Sequence, residues 1–390
     1  MRCPAKVLLA IVWLGLSAQV QAQDISVVIA FGDSITRGDS RFDGQNRGGY
    51  PGRLQSKMRA DNPDARVLNY GRDGETTAGG VSRISAVLSA EPNADALALM
   101  EGTNDIDAII EGEISLSSVV ANLGAIGNRG AAAGLEVFNA TIIPRPPSAR
   151  RDFRNELTFG LVREIRDLAY RQVHPLVDPY DELIFTPGVF GTLYNQASDD
   201  LVGHPNAAGF AVLADLFFDV ISGVDSRGPV PGDLVPGYRV STIGPANDIE
   251  LTIYDLGAGI DRDNTSLTIN GVAVETTQTG NSRRRKLSHD TTAASLGCHA
   301  KVGIRSSDLN DPPNVTDRVF KEFRVNGGMI VRGDLDKSCR VDGIDLLILA
   351  LAFGSRTGEA RYSLTADINN DGVVNGMDFA LMADNFGRSS

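Results

Sequence analysis

Two segments within the first 209 residues of the chain contain residue types that together can carry out acyl transfer. Ser34 lies within residues 31–38, and His204 lies within residues 200–209. A serine hydroxyl becomes a good nucleophile only when a base takes its proton and when donors stabilise the oxyanion that its attack generates. His204 can supply the base, and a carboxylate on the same short loop can orient its imidazole. The pattern therefore indicates nucleophilic chemistry at a carbonyl carbon.

Two further segments contain donors for such an oxyanion. Residues 69–77 include a glycine turn in which Gly74 can direct its backbone N–H into a site, and Asn104 offers a side-chain amide within residues 102–105. Each of these residues taken alone is more typical of a turn or a helix cap. Their occurrence together with Ser34 and His204 favours one functional site. The remaining histidine of this region, His174, adjoins an apolar run, which indicates a structural role.

Apolar runs alternate with helix-length segments from residue 25 to about residue 224, which predicts a parallel sheet covered by helices on both faces. The predicted strands are residues 25–31, 66–70, 96–100, 135–143 and 175–180. The first three end in the polar segments that contain Ser34, Gly74 and Asn104. Because functional residues in open α/β sheets collect at the carboxyl ends of the strands, we expect these groups to meet in one crevice.

The four segments, in this order, resemble the SGNH (GDSL) hydrolase family over about two hundred residues. The resemblance implies a flavodoxin-like, three-layer α/β/α domain with strand order 2-1-3-4-5, and a serine esterase that works through an acyl-enzyme. It implies that Ser34 is the nucleophile and also an oxyanion donor through its backbone N–H. It further implies that Gly74 and Asn104 are the other donors, that His204 is the general base, and that catalysis needs no cofactor.

The carboxylate of the catalytic triad departs from the family pattern. In the family an aspartate stands three residues before the histidine, but Leu201 occupies that position here. The nearest carboxylates are Asp200 and Asp199, and an extra residue, Gly203, is expected to bulge the loop. We predict that Asp200, the nearer acid, orients His204, with Asp199 as the alternative.

The last sixty or so residues contain an internal repeat with an offset of 33 residues. Oxygen side chains at loop positions one, three, five, nine and twelve, followed by a helix, are what Ca²⁺ requires of one short loop. The candidate ligands are Asp334, Asp336, Ser338, Asp342 and Asp345 in the first loop and Asp367, Asn369, Asp371, Asn375 and Asp378 in the second.

The second of these loops closely resembles the calcium loop of dockerin modules, which implies structural Ca²⁺ and a cohesin-like partner. The first loop departs from that pattern, with Ser338 where an aspartate is usual and Cys339 where a glycine is usual. A polar turn without metal, and a terminal module without a cohesin-like partner, are the alternatives.

The composition shift along the chain predicts five regions. They are a signal peptide (1–22), an SGNH hydrolase domain (23–225), a linker (226–235), an immunoglobulin-like β-sandwich (236–328) and a small α-helical dockerin-like module (329–390). The β-sandwich prediction depends on residues 255–261 and 266–272, which resemble the opening strands of bacterial immunoglobulin-like modules. The linker prediction depends on the two prolines and two glycines between residues 227 and 234.

The net charge of −12 argues against nucleic acid or anionic lipid as the main partner, since both require a basic face. Arg2 and Lys6, the apolar run 7–16 and the small residues before position 23 predict a secretory signal peptide, cut after Ala22. The run is too short to span a bilayer. We therefore expect a secreted protein, extracellular or periplasmic, without a membrane span, in which Cys298 and Cys339 pair or remain free.

The leading functional hypothesis is hydrolysis of carboxylic esters outside the cell, with an acetylated polysaccharide such as xylan as the ester substrate. The polysaccharide is inferred from the kinds of protein in which dockerin-like modules occur, which is association rather than mechanism. A lipid or thioester acyl hydrolase of the same family is one alternative. A binding or scaffold protein with an inactive hydrolase domain is another, favoured by the altered aspartate spacing.

Overall fold

The structure is a computed structural model of the 390-residue chain. It describes residues 25–38, 49–146, 152–186, 188–195, 203–238, 240, 242–244, 248–291, 296, 299–325, 332–336, 338 and 340–388. The predicted signal peptide, the two candidate acids Asp199 and Asp200, and the cysteines Cys298 and Cys339 lie outside the described residues.

Five parallel strands form the sheet of the N-terminal half, in the order β2-β1-β3-β4-β5 that the sequence predicted. The strands are β1 (Val27–Gly32), β2 (Arg66–Gly71), β3 (Ala96–Met100), β4 (Glu136–Ala140) and β5 (Leu176–Val177). The predicted strand at 175–180 is much shorter than expected because a helix begins at Pro179, where the fixed φ of proline suits a first helical turn. Asp178 caps this helix by accepting a hydrogen bond from the Asp181 N–H at 3.1 Å.

Helices cover both faces of this sheet. They are α1 (Ser34–Arg37), α2 (Gly49–Asp61), α3 (Thr77–Ala90), α4 (Asp105–Ile110), α5 (Leu116–Ala132), α6 (Asp152–Gln172), α7 (Pro179–Phe185), α8 (Val189–Thr192) and α9 (Ala207–Ile221). Successive residues of β1 point to opposite faces. Val28 and Ala30 join a core with α2 and α9, whereas Ile29 and Phe31 join a second core with α3, α5 and α6.

Two further sheets, which together we call the two-sheet module, follow the parallel sheet. Their strands are β6 (Val230–Val235), β7 (Thr242–Ile243), β8 (Ile249–Tyr254), β9 (Ser266–Ile269), β10 (Val272–Ala273), β11 (Thr277–Gly280), β12 (Arg284–His289), β13 (His299–Ser307) and β14 (Val315–Val325). The orders are β10-β9-β13-β14-β7 and β11-β12-β8-β6. Leu251 and Leu287 of one sheet and Leu267 and Phe323 of the other share one apolar core.

The predicted linker at 226–235 is wrong in its second half, because Val230–Val235 forms strand β6 and pairs with β8. Leu234 of this strand is buried in the core of the module, which explains why the segment is ordered despite its prolines and glycines. The two-sheet module also contacts α6: the Tyr254 hydroxyl donates to Asp167 at 2.8 Å, and the fully buried Arg166 donates to the Pro231 carbonyl.

The C-terminal repeat contains two short helices, α10 (Gly343–Ala352) and α11 (Gly376–Ala383). Each begins with a capping box, formed by Asp342 and Asp345 in the first case and by Asn375 and Asp378 in the second. A small core between the helices contains Val341, Leu349, Val374 and Met382. Among the described residues of the whole chain, no helix has both the length and the apolar composition needed to cross a bilayer.

Candidate active site

Ser34 and His204 lie together at the carboxyl end of β1. The Ser34 Oγ atom is 2.9 Å from the His204 Nε2 atom, although 170 residues separate the two in sequence. Both side chains are buried, with 6% and 5% of their surface exposed. Asp33 caps α1 by accepting the Ile35 N–H at 2.9 Å, which holds Ser34 at the start of a helix directly after the strand. This distance permits direct proton transfer from the hydroxyl to the imidazole.

The loop that carries His204 is fixed on both sides. Gly203 has a φ of +81°, and a side-chain carbon there would clash with Pro146, so the position requires glycine. The His204 carbonyl accepts the Asn195 N–H at 2.9 Å. Asn206 then caps α9 by accepting two N–H groups of its first turn at 2.9 and 3.1 Å. The imidazole is therefore held by backbone geometry as well as by its own contacts.

The carboxylate of Asp33 lies close to the same site. Burial raises the pKa of Asp33 to about 6, and the hydrogen bond from Ile35 and the nearby His204 partly oppose that rise. Asp200 and Asp199 lie outside the described residues, so the identity of the acid that orients His204 stays a prediction.

The Asn104 side chain is not a helix cap, although Asn104 precedes α4. It makes no capping hydrogen bond, and its Nδ2 atom instead donates to the Glu75 carbonyl at 2.8 Å. This bond joins the end of β3 to the loop that follows β2. Because an amide nitrogen carries two hydrogens, one N–H remains for another acceptor. The geometry is compatible with an oxyanion donor, and that role stays a prediction.

Gly74 lies in the exposed turn after β2, as the sequence predicted. Its φ of +66° is in the left-handed region that favours glycine, and no atom of a residue that the structure describes lies within 4 Å of the position that a side-chain carbon would take, its chain neighbours aside. An ion pair between Arg37 of α1 and Asp73 connects this turn to the helix that begins with Ser34. The predicted turn is present, and the donor role of its backbone N–H stays a prediction.

The structure reveals supporting contacts that sequence reasoning missed. The Thr77 N–H and hydroxyl donate to the two oxygens of Asp105 at 2.9 and 2.7 Å, which locks the start of α3 to the start of α4. The buried Arg145 donates to the Thr103 carbonyl at 2.6 Å. Asp105 could have been found, because it adjoins Asn104 in a polar turn. Arg145 could not, because an isolated arginine some forty residues away gives no sequence signal.

Glu101 is a second feature that the sequence did not indicate. It follows β3 directly and is 1% exposed, and neither of its carboxyl oxygens has a hydrogen-bond partner among the described residues. Burial, followed by the neighbouring carboxylate of Glu75, raises the pKa of Glu101. The Glu75 carboxylate itself accepts a hydrogen bond from Arg83 at 2.9 Å. Its environment behind the strand ends that carry Ser34 and Asn104 therefore disfavours the ionised form of Glu101.

The first calcium loop brings oxygen ligands together. Carboxylate oxygens of Asp334, Asp336 and Asp345 lie within 4.8 Å of one another. The Ser338 N–H donates to Asp334 and to Asp336, each at 2.9 Å, while Asp345 Oδ1 accepts the Leu335 N–H at 2.6 Å. Asp342 caps α10. A set of hard oxygen donors in one short loop fits Ca²⁺.

The second calcium loop has the same arrangement. The Asp371 N–H donates to Asp367 at 3.1 Å and to Asn369 at 3.0 Å. The closing residue, Asp378, accepts the Ile368 N–H at 2.8 Å through Oδ1 and the Asn375 N–H at 2.8 Å through Oδ2. The five candidate ligands of this loop all offer oxygen atoms, so its donor chemistry also fits Ca²⁺.

Family comparisons agree with this geometry. Residues 30–212, which include Ser34, Asn104 and His204, match the family described as GDSL-like Lipase/Acylhydrolase. Residues 332–386, which include both calcium loops, match the Dockerin type I domain. The chain contains a GDSL lipase/acylhydrolase domain followed by a dockerin type I domain. Dockerin type I domains bind Ca²⁺ structurally.

Solved structures similar to this GDSL dockerin chain cover about half of it. The lipase/acylhydrolase from Enterococcus faecalis is 23% identical, with a TM-score of 0.42, over 51% of this chain and 96% of that chain. The acetylxylan esterase Axe2 from Geobacillus stearothermophilus is 23% identical, with a TM-score of 0.42, over 52% and 97%. LAE5, from the metagenome of Lake Arreo, is 24% identical, with a TM-score of 0.42, over 52% and 97%. No curated protein sequence matches the chain.

Proposed function

We propose that the GDSL domain is a carboxylic ester hydrolase in which Ser34 is the nucleophile and His204 is the general base. The observation that carries this proposal is the 2.9 Å approach of Ser34 Oγ to His204 Nε2 in a buried site at the carboxyl end of β1. A serine whose role is only to form a turn does not require an imidazole at this distance. The pair is the minimum arrangement for nucleophilic catalysis by serine.

The reaction is a double displacement. Ser34 Oγ attacks the ester carbonyl carbon while His204 Nε2 takes the hydroxyl proton, and the same imidazole then returns that proton to the departing alcohol. Water attacks the resulting acyl-enzyme with His204 again as base. The backbone N–H groups of Ser34 and Gly74, and the second amide N–H of Asn104, stabilise the oxyanion of both tetrahedral intermediates. Each step uses groups of this chain alone.

Asp200 completes the triad in this proposal. A carboxylate that accepts the Nδ1–H of His204 fixes the tautomer that leaves Nε2 free for Ser34, and it stabilises the imidazolium that forms during attack. Asp199 is the alternative acid. The left-handed backbone of Gly203 supports the idea that the loop accommodates one residue more than the family spacing.

The proposed substrate is an acetylated polysaccharide outside the cell, such as acetylated xylan. Support comes from the dockerin domain, since dockerin domains bind cohesins, and from the predicted signal peptide. Leu347 and Leu351 of α10 and Met377 of α11 are 57%, 67% and 62% exposed, which supports a cohesin-like partner on these helices. A lipid or thioester acyl group is the second candidate, since the reaction centre would act on either.

Finer features of the architecture belong to the same proposal. We interpret residues 23–225 as a flavodoxin-like three-layer α/β/α domain, the two-sheet module as an immunoglobulin-like β-sandwich, and residues 329–390 as a dockerin module in which Ca²⁺ has a structural role. The two apolar cores on opposite faces of the parallel sheet support the first interpretation. The single core shared by the two sheets of the module supports the second.

Hydrolysis of p-nitrophenyl esters from acetyl to palmitoyl, measured beside acetate release from acetylated xylan, tests the proposal. We expect the acetyl ester to be the best chromogenic substrate and acetate to be released from xylan, with Ser34→Ala as the inactive control. Preference for long acyl chains without acetate release would favour the lipid hydrolase. Absence of hydrolysis across the series would favour the inactive scaffold and contradict the proposal.

A further inference from the structure

Three aspartates converge where the GDSL domain meets the two-sheet module. Asp225 follows α9, Asp255 follows β8, and Asp308 follows β13. One carboxylate oxygen from each lies within 4.8 Å of the others. The candidate calcium ligands of the dockerin domain are all at residue 334 or beyond, so this group is separate from both dockerin loops.

Asp255 has an unsatisfied oxygen in this group. Its Oδ1 atom accepts the Gly257 and Gly259 N–H groups at 3.0 and 3.1 Å, but its Oδ2 atom is buried without a hydrogen-bond partner among the described residues. Only 6% of the side chain is exposed. Leaving a buried carboxylate oxygen unpaired is unfavourable unless a charge or a donor compensates it. The other two carboxylates that face Asp255 carry like charge and cannot compensate it.

No basic side chain neutralises the group within the described part of the chain. Arg227 is the nearest arginine in sequence to Asp225, and its guanidinium pairs with Glu182 instead. The aspartates are nonetheless held close: the Ala258 N–H donates to Asp225 at 2.6 Å, and Gly257 lacks the side-chain carbon that would clash with the Asp225 carboxylate. The fold therefore holds the three aspartate carboxylates together at a partly buried position.

More oxygen atoms surround the same point. Asn310 and Asn314 each direct their amide group at both the Asp225 carbonyl and the Asp308 Oδ2 atom, at 2.7 to 3.0 Å. Rotation of either amide by 180° would present its carbonyl oxygen in place of the nitrogen. The three carboxylates supply three oxygen ligands and the rotated amides could add more, and Ca²⁺ takes six to eight oxygen ligands in flexible geometry.

We propose that Asp225, Asp255 and Asp308 bind one Ca²⁺ ion that fastens the end of the GDSL domain to the two-sheet module. Mg²⁺ suits the position less well, because it retains several waters and requires near-ideal octahedral geometry. The ion links the segment after α9 to strand ends in both sheets of the module. It fixes the orientation of the module, and of the dockerin domain that follows it in the chain, relative to the GDSL domain.

Counting bound Ca²⁺ ions by native mass spectrometry on the full chain, after chelation and re-addition of Ca²⁺, tests this proposal. We expect Asp255→Asn to bind one ion fewer than the wild type. Asp367→Asn, in the second dockerin loop, should also lose one ion, and the double variant should lose two. Asp317→Asn is the matched control, since Asp317 is an exposed aspartate of β14 that pairs with Arg305, and it should retain every ion.

Three results would overturn the proposal. The first is an unchanged ion count in Asp255→Asn. The second is a double variant that loses no more ions than Asp367→Asn alone. The third is equal retention of the same ion when Mg²⁺ replaces Ca²⁺, which would contradict the calcium assignment. If circular dichroism shows that Asp255→Asn is unfolded, the half-buried Asp225→Asn variant decides, with the loss of one ion expected and an unchanged count contradicting the site.

Discussion

The proposed active site and the candidate calcium loops of the dockerin domain gather their functional groups in different ways. Ser34 and His204 come from segments 170 residues apart and meet only because parallel strands end at one edge of a sheet. Each dockerin loop collects all five candidate ligands within twelve consecutive residues. The first site forms only when the whole domain folds. Each loop, in contrast, contains all of its candidate ligands, and its formation is linked to the ion that it binds.

The difference has consequences for how each region responds to change. At the hydrolase site, bonds such as Thr77 to Asp105 and Arg145 to Thr103 hold separate turns in register, so the reactive pair is fixed without a ligand. In the first dockerin loop, carboxylates lie together and need a cation to balance their charge. Substitutions in the first region should therefore affect turnover, and removal of calcium should affect the stability of the second.

The largest expected effect concerns the acid that orients His204. Asp200→Asn should preserve the fold and lower kcat by up to about 10⁴-fold, because an asparagine favours the wrong histidine tautomer. Asp199→Asn should cost little, since neighbouring side chains in an extended stretch point to opposite faces. Steady-state hydrolysis of an acetyl ester by both variants is the measurement. The reverse ranking would transfer the role to Asp199, and no effect in either variant would make the site a dyad.

A smaller loss of rate should follow removal of the Asn104 amide. Asn104→Ala should lower kcat by roughly 10²- to 10³-fold with KM little changed, because the amide meets the substrate oxygen mainly after it becomes charged. Asn62→Ala is the matched control, since that amide donates to Ser26, which precedes β1 and so lies beyond the opposite end of that strand. A lower Tm in Asn104→Ala with kcat intact would instead assign Asn104 a structural role through its bond to Glu75.

The buried Glu101 should make stability depend on pH. Its pKa is raised in the folded chain, so the folded state retains a proton that the unfolded state releases above about pH 4.5. The contribution of Glu101 is therefore favourable at low pH and is lost as the pH rises. Glu101→Gln removes this loss. The Tm of Glu101→Gln minus the Tm of the wild type should therefore increase as the pH rises from about 5 to about 9. The exposed Glu111→Gln is the control, and parallel pH profiles for Glu101→Gln and wild type would contradict the prediction.

The smallest effect on turnover is expected from chelation. EDTA should lower the Tm of the C-terminal part of the chain, because Ca²⁺ stabilises the state that binds it, and Ca²⁺ should restore that Tm. Hydrolysis of a small acetyl ester should remain within about twofold, since the proposed steps use no ion. Calorimetry and rate measurements on the same samples test this. A calcium-reversible loss of hydrolysis would contradict the separation of the two regions.

Sequence reasoning succeeded where residue type and chain order alone determine the outcome. The strand order followed from a family resemblance, and a helix follows each loop of the C-terminal repeat, as the repeat pattern predicted. Strand β6 was missed because the prolines and glycines of that segment indicated a linker, while its pairing with β8 is a long-range contact. Arg145 and Glu101 were missed because their roles arise only from packing between distant segments. The same holds for the aspartates at the domain junction.

Labelling of the full chain with a fluorophosphonate, followed by intact and peptide mass spectrometry, tests the central claim most directly. A hydroxyl activated by an imidazole 2.9 Å away should take up one adduct per chain, located on Ser34. Ser34→Ala should take up none, and His204→Ala should label slower by on the order of 10³-fold or more. Absence of an adduct on Ser34 in a chain that hydrolyses esters would contradict the assignment of Ser34 as the nucleophile.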